Sequence, residues 1–398
     1  MRELHLVQAA APQSSHRTRV LMTTDAMGSV WDLSLDLAAG LRAHHIDVVL
    51  AVLGPAPSLI QRRSAARRGI QLERAPFNLD WMAEPWKDLE AGAKWLVSLE
   101  RDLDCDLVHL NGYSYAQLPF RGPKLVVGHS CVLSWWRAVR GDRLPAQWET
   151  YRRYVAEGLA AAQHVVAPSA WMAAELRRTY GDPRTPAEIS VIHDGLSRRR
   201  SACDTKRAFI LASGRLWDEA KNLRALSRIS GAVPWPIIIA GPLSMNGRRS
   251  DDGPVREQAT SDYGGVQLMG TLNQAELARL YGAAPIYAHP ARYEPFGLSV
   301  LEAALSGCAL VLGDIPSLRE LWSGAAAFVD PSDDGAMARA LTNLAHRADE
   351  RHYLALQARR RARAYSRDRM IGAYARLYSR MLAWPVAPAW NREVACAS

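Results

Sequence analysis

Residues 286–307 read IYAHPARYEPFGLSVLEAALSG, and this order predicts a strand, a loop and then a helix. Proline cannot occupy the interior of a helix, so Pro295 leaves Glu294 in the loop that follows the strand. Gly297 lets the backbone turn closely and begins the helix. Glu302 then lies in that helix, one to two turns from its start. The stretch therefore places a carboxylate on each side of a helix N-terminus.

The start of this helix is suited to bind an anion. The first backbone N–H groups of a helix have no partner within the helix and carry the positive end of its dipole. Here they belong to the residues near Gly297, Leu298 and Ser299. Phosphate fits them, whereas the two carboxylates repel phosphate and should face neutral hydroxyls. The pattern therefore indicates a ligand that carries both phosphate and hydroxyl groups.

Apolar strands alternate with helices along the chain from Arg19 onwards. We predict strands at 19–23, 47–53, 70–75, 106–110, 124–130 and 164–169 in the first half, and at 208–214, 236–241, 266–270 and 286–290 in the second. This alternation is typical of parallel sheets with helices on both faces, whose ligands bind beyond the C-terminal strand ends. We therefore expect an α/β fold of two doubly wound, Rossmann-like domains that face a central cleft. In the first domain, the loops 24–29, 111–115 and 129–136 would line that cleft.

The composition is that of a soluble globular protein. Of the 398 residues, 48% are hydrophobic and 22% are charged, and the apolar runs are too short to span a bilayer. The first residues lack the continuous apolar segment of a signal peptide. The five cysteines are scattered without C-x-x-C spacing, which argues against a disulfide framework or a zinc site. We therefore expect a cytoplasmic location.

The formal net charge of +9 is carried by arginine clusters at 62–68, 198–200 and 359–361. We interpret these clusters first as solvated surface and, as an alternative, as a peripheral contact with an anionic membrane at its inner face. Nucleic-acid binding is disfavoured, because the chain has no recognisable nucleic-acid module and its arginines are not interleaved with aromatic residues.

A second motif follows the first strand of the second half. Residues 213–222 read SGRLWDEAKN, in which Gly214 ends a strand and Arg215 and Lys221 precede a helix. A forked guanidinium and a mobile ammonium at this spacing suit a diphosphate. Elsewhere in a chain the same string would indicate only surface charge. Its position after a strand favours a ligand-binding role.

Together, GRLWDEAKN (214–222), YEPFGLSVLEAALSG (293–307) and the later Glu320 resemble the retaining glycosyltransferases of the GT-B fold, and family 4 in particular. The resemblance implies that Glu294 contacts hydroxyls of a donor sugar and that Glu302 binds the ribose of a nucleotide. It implies that Arg215 and Lys221 hold the diphosphate. The remaining donor-binding candidates are Phe296, Gly297, Leu298 and Ser299, the last two through their backbone amides.

The first half matches the family at fewer positions. Met27-Gly28-Ser29 lies where the family usually has two glycines, and Gly28 would let the donor approach the backbone. His129 lies where the family has a histidine that reaches the donor sugar. In His193-Asp194-Gly195, Asp194 replaces an asparagine that is common in the family. The expected catalytic residues are His129, Glu294, Arg215 and Lys221.

Aromatic residues are frequent in the first half, and aromatic faces bind sugar rings. Most tryptophans pack between helices, so we restrict the prediction to aromatic residues that we place in loops. The acceptor-binding candidates are Tyr113, Trp135 and Trp136.

The resulting prediction is an enzyme that moves a hexose from a nucleotide diphosphate sugar to a hydroxyl of a glycan, a lipid-linked acceptor or a small molecule, with the anomeric configuration retained. The first domain (1–195) would bind the acceptor, and residues 367–398 would pack back on it. The second domain (196–366), which begins with a linker at 196–207, would bind the donor. We expect no cofactor and no metal, because the cations and the helix dipole offset the diphosphate charge. The D-x-D triplet at 102–104 ends a helix and is not expected to bind a metal.

Two alternatives stay open. A GT-B phosphorylase or a sugar-nucleotide epimerase would share this scaffold. A non-catalytic GT-B binding protein would be expected to have lost Glu294, Arg215 or Lys221, and all three are present, although Ser29 departs from the family pattern.

Overall fold

The computed structural model describes residues 17–82, 84–181, 188–197, 205–243 and 263–383. Within these ranges the chain forms two separate sheets in which every strand pair is parallel. The expected fold of two Rossmann-like domains is confirmed. None of the helices in the described ranges combines the length and the apolarity that crossing a membrane requires.

The first sheet has seven strands in the order β3-β2-β1-β4-β5-β6-β7. They are β1 (Thr18–Asp25), β2 (Ile46–Leu53), β3 (Gln71–Arg74), β4 (Leu107–Leu110), β5 (Lys124–Val127), β6 (His164–Ala167) and β7 (Ile189–Val191). The helices of this half are α1 (Ser29–Leu41), α2 (Leu59–Arg67), α3 (Trp86–Asp102), α4 (Val132–Val139), α5 (Glu149–Ala161) and α6 (Ala170–Tyr180). Alternate residues of β1 enter opposite cores: Val20 and Met22 lie in one cluster and Leu21 in the other. Since the strand order reverses between β1 and β4, the loops after these strands open on one crevice.

The second sheet has six strands in the order β10-β9-β8-β11-β12-β13. They are β8 (Ile210–Ser213), β9 (Ile237–Ala240), β10 (Gln267–Gly270), β11 (Ile286–His289), β12 (Ala309–Gly313) and β13 (Ala327–Val329). The helices are α7 (Arg224–Arg228), α8 (Gln274–Ala283), α9 (Leu298–Leu305), α10 (Pro316–Trp322), α11 (Asp334–His346) and α12 (Ala348–Ala362). The neighbours β8 and β11 lie at the reversal of strand order. The loops that follow them carry Arg215 and Glu294, so the two sequence motifs meet at one edge.

The last helix, α13 (Arg367–Ala383), packs on the first sheet and not on the second. Its residues Met370 and Tyr374 belong to the core cluster that contains Val20. A Cβ added at Gly40 of α1 would lie only 2.0 Å from Cδ1 of Ile371, so the close contact of α1 with α13 requires this glycine. The core of the first domain therefore combines residues 20–192 with the later helix α13. Residues 198–204 of the predicted linker and 384–398 of the predicted C-terminal extension lie outside the described residues.

Two sequence predictions were wrong in detail. Helix α4 occupies most of 129–136, which we expected to be a loop, because Leu133 packs in the core of the first domain and the partly buried Val132 packs against that core. The helix expected at 221–230 begins only at Arg224, because Asn222 adopts a left-handed conformation (φ 52°). The side-chain amide of Asn222 donates to the carbonyls of Pro290 (3.0 Å) and Pro331 (2.8 Å), which holds the chain in this turn.

Candidate functional site

Glu294 lies at the centre of the site, in the loop after β11. Its Oε2 accepts hydrogen bonds from Nζ of Lys221 (2.6 Å) and from Nε2 of His289 (3.1 Å). Burial by itself raises the pKa of this carboxyl, but the attraction of Lys221 and the hydrogen bond from His289 outweigh burial, and the pKa of Glu294 is lowered. Glu294 is therefore an ionised carboxylate with a fixed orientation.

Hydrogen bonds from two serines fix the backbone around Glu294. Oγ of Ser317, in α10, donates to the carbonyl of Glu294 at 2.6 Å. Oγ of Ser169, which belongs to the first domain, donates to the carbonyl of Pro295 at 2.7 Å. The second hydrogen bond crosses the cleft, so both domains determine the shape of this loop.

Further contacts join the two domains beside the loop. The hydroxyl of Tyr293 lies 2.9 Å from Oγ of Ser134 in α4. Glu320, on α10, accepts hydrogen bonds from the N–H groups of Ala170 (2.8 Å) and Trp171 (2.7 Å) at the start of α6. Glu320 thus satisfies N-terminal amides of a helix that belongs to the other domain.

Gly297 begins helix α9 as predicted, with a φ of 90° that favours glycine. A Cβ at this position would lie 3.3 Å from Cγ of Glu294, so glycine also leaves room for the carboxylate side chain. Leu298 and Ser299 are the first residues of α9, and their N–H groups lie at its positive end. Glu302 follows on α9 and lines a separate small pocket together with Gln274.

Arg215 and Lys221 follow β8 and approach the first domain. Nη2 of Arg215 donates to Asp218 at 2.6 Å, whereas its buried Nε has no hydrogen-bond partner among the described residues. Asp218 also accepts a hydrogen bond from Nε1 of Trp135, in the first domain, at 3.2 Å. A Cβ added at Gly28 would lie 3.7 Å from Nη1 of Arg215. Arg215, one of the two residues expected to bind the diphosphate, therefore lies close to the loop after β1.

His129 is held by hydrogen bonds inside the first domain. Its Nε2 donates to Oδ1 of Asn111 at 2.8 Å, and Nδ2 of Asn111 donates to the carbonyl of Thr23 at 2.8 Å. Burial lowers the pKa of His129 to about 4, so the imidazole is neutral at pH 7. With Nε2 as donor, Nδ1 is left as an acceptor for a ligand hydroxyl.

A cavity of about 70 Å³ connects these groups. Its polar lining consists of Ser29, His129, Asp194 and Glu294, and the other lining residues are Val30, Leu33, Pro295, Phe296, Gly297 and Leu298. The structure thus brings the predicted His129, Glu294, Phe296, Gly297 and Leu298 to one cavity at the domain interface. Glu302 lines the separate pocket, Arg215 lies near Gly28, and Lys221 is paired with Glu294.

The expectation that Tyr113 offers an open aromatic face is wrong. Tyr113 is only 4% exposed, and its hydroxyl donates to the carbonyl of Ser130 at 2.7 Å. Its role in the fold is to support the loop after β5. Trp135 and Trp136 lie on α4 and are partly exposed, and Nε1 of Trp136 donates to Asp142 at 2.7 Å. These two tryptophans stay candidates for acceptor binding.

Sequence reasoning assigned no site role to three residues that belong to this site. His289, a polar residue at the end of an otherwise apolar strand, lies fully buried beneath Glu294. Asp218, between the two cations of the second motif, orients Arg215. Asp194 lines the cavity, and its signal in the sequence was the replacement of an expected asparagine.

Two family models match the chain. Residues 195–361 match the family described as glycosyl transferases group 1, and residues 33–200 match glycosyltransferase family 4. Over 159 residues the chain is 30% identical to O-antigen chain mannosyltransferase B of Escherichia coli. The matched region covers 39% of this chain and 40% of that protein. The match thus spans well under half of the length of this curated relative.

Solved structures share the fold. A sucrose-phosphate synthase from Thermosynechococcus elongatus superposes with a TM-score of 0.75 at 18% identity, over 92% of this chain and 100% of that chain. The Anabaena protein HepE, in complex with UDP and glucose, superposes with a TM-score of 0.70 at 15% identity, over 91% and 100% of the two chains. At these identities the likeness concerns the fold alone.

Proposed function

We propose that the chain, which matches the group 1 glycosyltransferases over residues 195–361 and glycosyltransferase family 4 over residues 33–200, moves a hexose from a nucleotide diphosphate sugar to an acceptor hydroxyl. The observation that carries the proposal is the setting of Glu294. This ionised carboxylate lies beside the N-terminus of α9, and a neutral His129 lines the same cavity from the other domain. Such a site suits a ligand with hydroxyls next to phosphate.

The donor would lie against the second domain. Arg215, Lys221 and the first amides of α9 would bind the diphosphate, and Glu302 would accept hydrogen bonds from the ribose hydroxyls. The buried Nε of Arg215, which has no partner among the described residues, supports a ligand at this place. Two side-chain cations and a helix dipole offset the diphosphate charge, so we propose that no metal is needed.

We assign a retaining course to the reaction. The bond between the anomeric carbon and the diphosphate oxygen breaks, the acceptor oxygen bonds to the same face of that carbon, and the acceptor proton passes to the departing diphosphate oxygen. Glu294 is poorly suited to act as the base, because Lys221 and His289 occupy its Oε2 and its pKa is lowered. The protein would instead position the reactants and stabilise the leaving group.

The named relatives indicate which donors to test first. The Escherichia coli relative is called a mannosyltransferase, so nucleotide-activated mannose is the first candidate. HepE was solved with UDP and glucose, which makes UDP-glucose the second.

We further propose that the acceptor is presented at an anionic membrane surface, with the protein as a peripheral, cytoplasmic enzyme. Helix α2 exposes Leu59 (53%) and Ile60 (67%) next to the exposed arginines 62, 63 and 67. Nε2 of Gln61, in the same helix, donates to the carbonyl of Ala26 at 3.0 Å, in the loop that leads to the cleft. Apolar side chains that enter the lipid interface and arginines that attract anionic headgroups would hold the cleft close to a lipid-linked acceptor.

The test is an assay of the purified full chain with nucleotide-activated mannose, UDP-glucose and related donors, with and without EDTA. We expect release of nucleoside diphosphate that depends on an added acceptor, a product with the anomeric configuration of the donor, and no loss with EDTA. Turnover that requires inorganic phosphate would indicate a phosphorylase, and a donor epimerised without an acceptor would indicate an epimerase. Binding of a nucleotide sugar without any turnover would indicate a binding protein, and each of these outcomes would reject transfer.

A further inference from the structure

Asp194 lies where the chain passes between the two domains, directly after β7. The following Gly195 is in such close contact with the start of α13 that an added Cβ would lie 2.4 Å from the carbonyl oxygen of Ser366. Leu196 forms two backbone hydrogen bonds with the same segment. Its N–H donates to the carbonyl of Tyr365 at 3.2 Å, and its carbonyl accepts from the N–H of Arg367 at 3.2 Å. The chain thus passes between the domains twice, at 195–196 and at 365–367, and the contacts between these two segments fix the position of Asp194.

The carboxyl of Asp194 is buried, with 5% of the residue exposed, and it lines the same cavity as His129 and Glu294. Its Oδ1 has no hydrogen-bond partner among the described residues. Burial, and after it the negative charge of Glu294, raise the pKa of Asp194 to about 7. Burying an oxygen that has no hydrogen-bond partner lowers the free energy of unfolding. The stability of the fold therefore does not explain why a carboxyl lies at this position.

Two neighbours of Asp194 in the cavity, Glu294 and His129, are each held by hydrogen bonds inside the protein. Glu294 is paired with Lys221 and His289, and His129 donates to Asn111. Asp194 differs from both, because its buried Oδ1 forms no hydrogen bond among the described residues. The same cavity contains Glu294 and His129, which we expect to contact the donor sugar. A donor bound there would therefore bring its sugar, and not its nucleotide, next to Oδ1 of Asp194.

We propose that Asp194 binds one hydroxyl of the donor sugar and so determines which sugars are accepted; this inference rests on the proposed transfer from a nucleotide sugar. A carboxyl can accept a hydrogen bond from a hydroxyl and, when protonated, can donate one. A donor that lacks this hydroxyl leaves a buried polar group unpaired, which a binding site penalises strongly. The accepted donors are therefore neutral hexoses with this hydroxyl present. A uronic acid is disfavoured, because its carboxylate would face both Asp194 and Glu294.

The test compares wild type, Asp194→Asn and Asp194→Ala on the accepted donor and on its series of monodeoxy analogues. For wild type we expect one analogue to lose kcat/KM by about 10- to 100-fold more than the others. Asp194→Ala should lose activity with the full donor but not with that analogue, so that the ratio between the two falls to within about threefold. Asp194→Asn, which keeps the shape and can still donate and accept, should keep most activity.

The affinity for nucleoside diphosphate, measured by calorimetry, should be the same in all three proteins and shows that the variants are folded. If Asp194→Ala lowers kcat/KM equally for the full donor and for every deoxy analogue, Asp194 does not contact a sugar hydroxyl. If the wild-type protein transfers no sugar from any nucleotide donor, it is the proposed function that fails, and this inference fails with it.

Discussion

Nζ of Lys221 lies 2.6 Å from Oε2 of Glu294, although the two residues are 73 positions apart in the chain. Both side chains are largely buried, with 16% and 10% exposed. The pair links the residue expected to bind phosphate with the residue expected to bind the sugar. Removing either partner leaves a charge in a poorly solvated place, so the two proposed functions of the site are coupled.

Replacing Lys221 should slow turnover without unfolding the protein. Lys221→Met removes a cation from the leaving diphosphate, and we expect kcat to fall by about 100- to 1000-fold. The matched control is Lys94→Met, which removes an exposed lysine of α3. Steady-state kinetics and circular dichroism of both variants check the prediction. Near wild-type turnover in a folded Lys221→Met protein would reject the diphosphate role of Lys221.

Replacing Glu302 should affect the nucleotide and not the sugar. In Glu302→Ala the ribose hydroxyls lose their carboxylate acceptor, and we expect the Kd for nucleoside diphosphate to rise by about 10- to 100-fold. Glu90→Ala, which changes an exposed carboxylate of α3, is the control. Calorimetric titration measures both. An unchanged affinity in Glu302→Ala would remove Glu302 from the ribose site.

Asp194 should reduce the stability of the protein as the pH rises. Its ordinary pKa is 3.8 and its pKa in the folded protein is about 7, so between these values the folded state binds more protons than the unfolded state. The contribution of Asp194 to stability is therefore complete below pH 4 and is lost as the pH rises to 7. Asp194→Asn abolishes this titration and leaves in place the titratable groups near Asp194, which are Glu294, His129 and Tyr374.

Thermal unfolding of wild type and Asp194→Asn at pH 5 and at pH 8 checks this expectation. The melting temperature of the variant should exceed that of wild type by a few degrees more at pH 8 than at pH 5. A difference between the two proteins that does not depend on pH would show that Asp194 keeps its ordinary pKa. Comparing the two proteins at each pH cancels the effects of the titrating groups that do not interact with Asp194.

The surface of α2 should bind anionic vesicles. We expect the protein to sediment with vesicles that contain phosphatidylglycerol, and to be released by high salt because the attraction is partly electrostatic. Replacing arginines 62, 63 and 67 by glutamine should lower the partition coefficient on the order of 100-fold. Replacing Leu59 and Ile60 by serine should lower it even at low salt.

A matched control uses the second domain. Tyr353 and Leu356, on α12, are also exposed apolar residues near arginines, and their replacement by serine should leave vesicle binding unchanged. Equal loss in the α2 and α12 variants would mean that the contact is not specific to α2. Binding that is the same for wild type and every variant would reject the membrane proposal for this surface.

Much of the fold and part of the site follow from the sequence alone. The alternation of apolar strands and helices predicts the two parallel sheets, because a strand buried on both faces is apolar throughout. Pro295 and Gly297 place Glu294 in a loop and Glu302 on a helix, because both residues restrict the backbone locally. These features depend on neighbours within a few positions, so the chain carries them before it folds.

The contacts that give the site its chemistry were decided by the tertiary structure. The pairing of Lys221 with Glu294, the burial of His289 beneath that pair and the unpaired carboxyl of Asp194 depend on how sheets and crossings pack. Tyr113 illustrates the same limit, since its aromatic character indicated a sugar contact while packing buried it. Hydrogen bonding and burial are set by distant residues brought within a few ångströms, and residue type or spacing along the chain does not encode that approach.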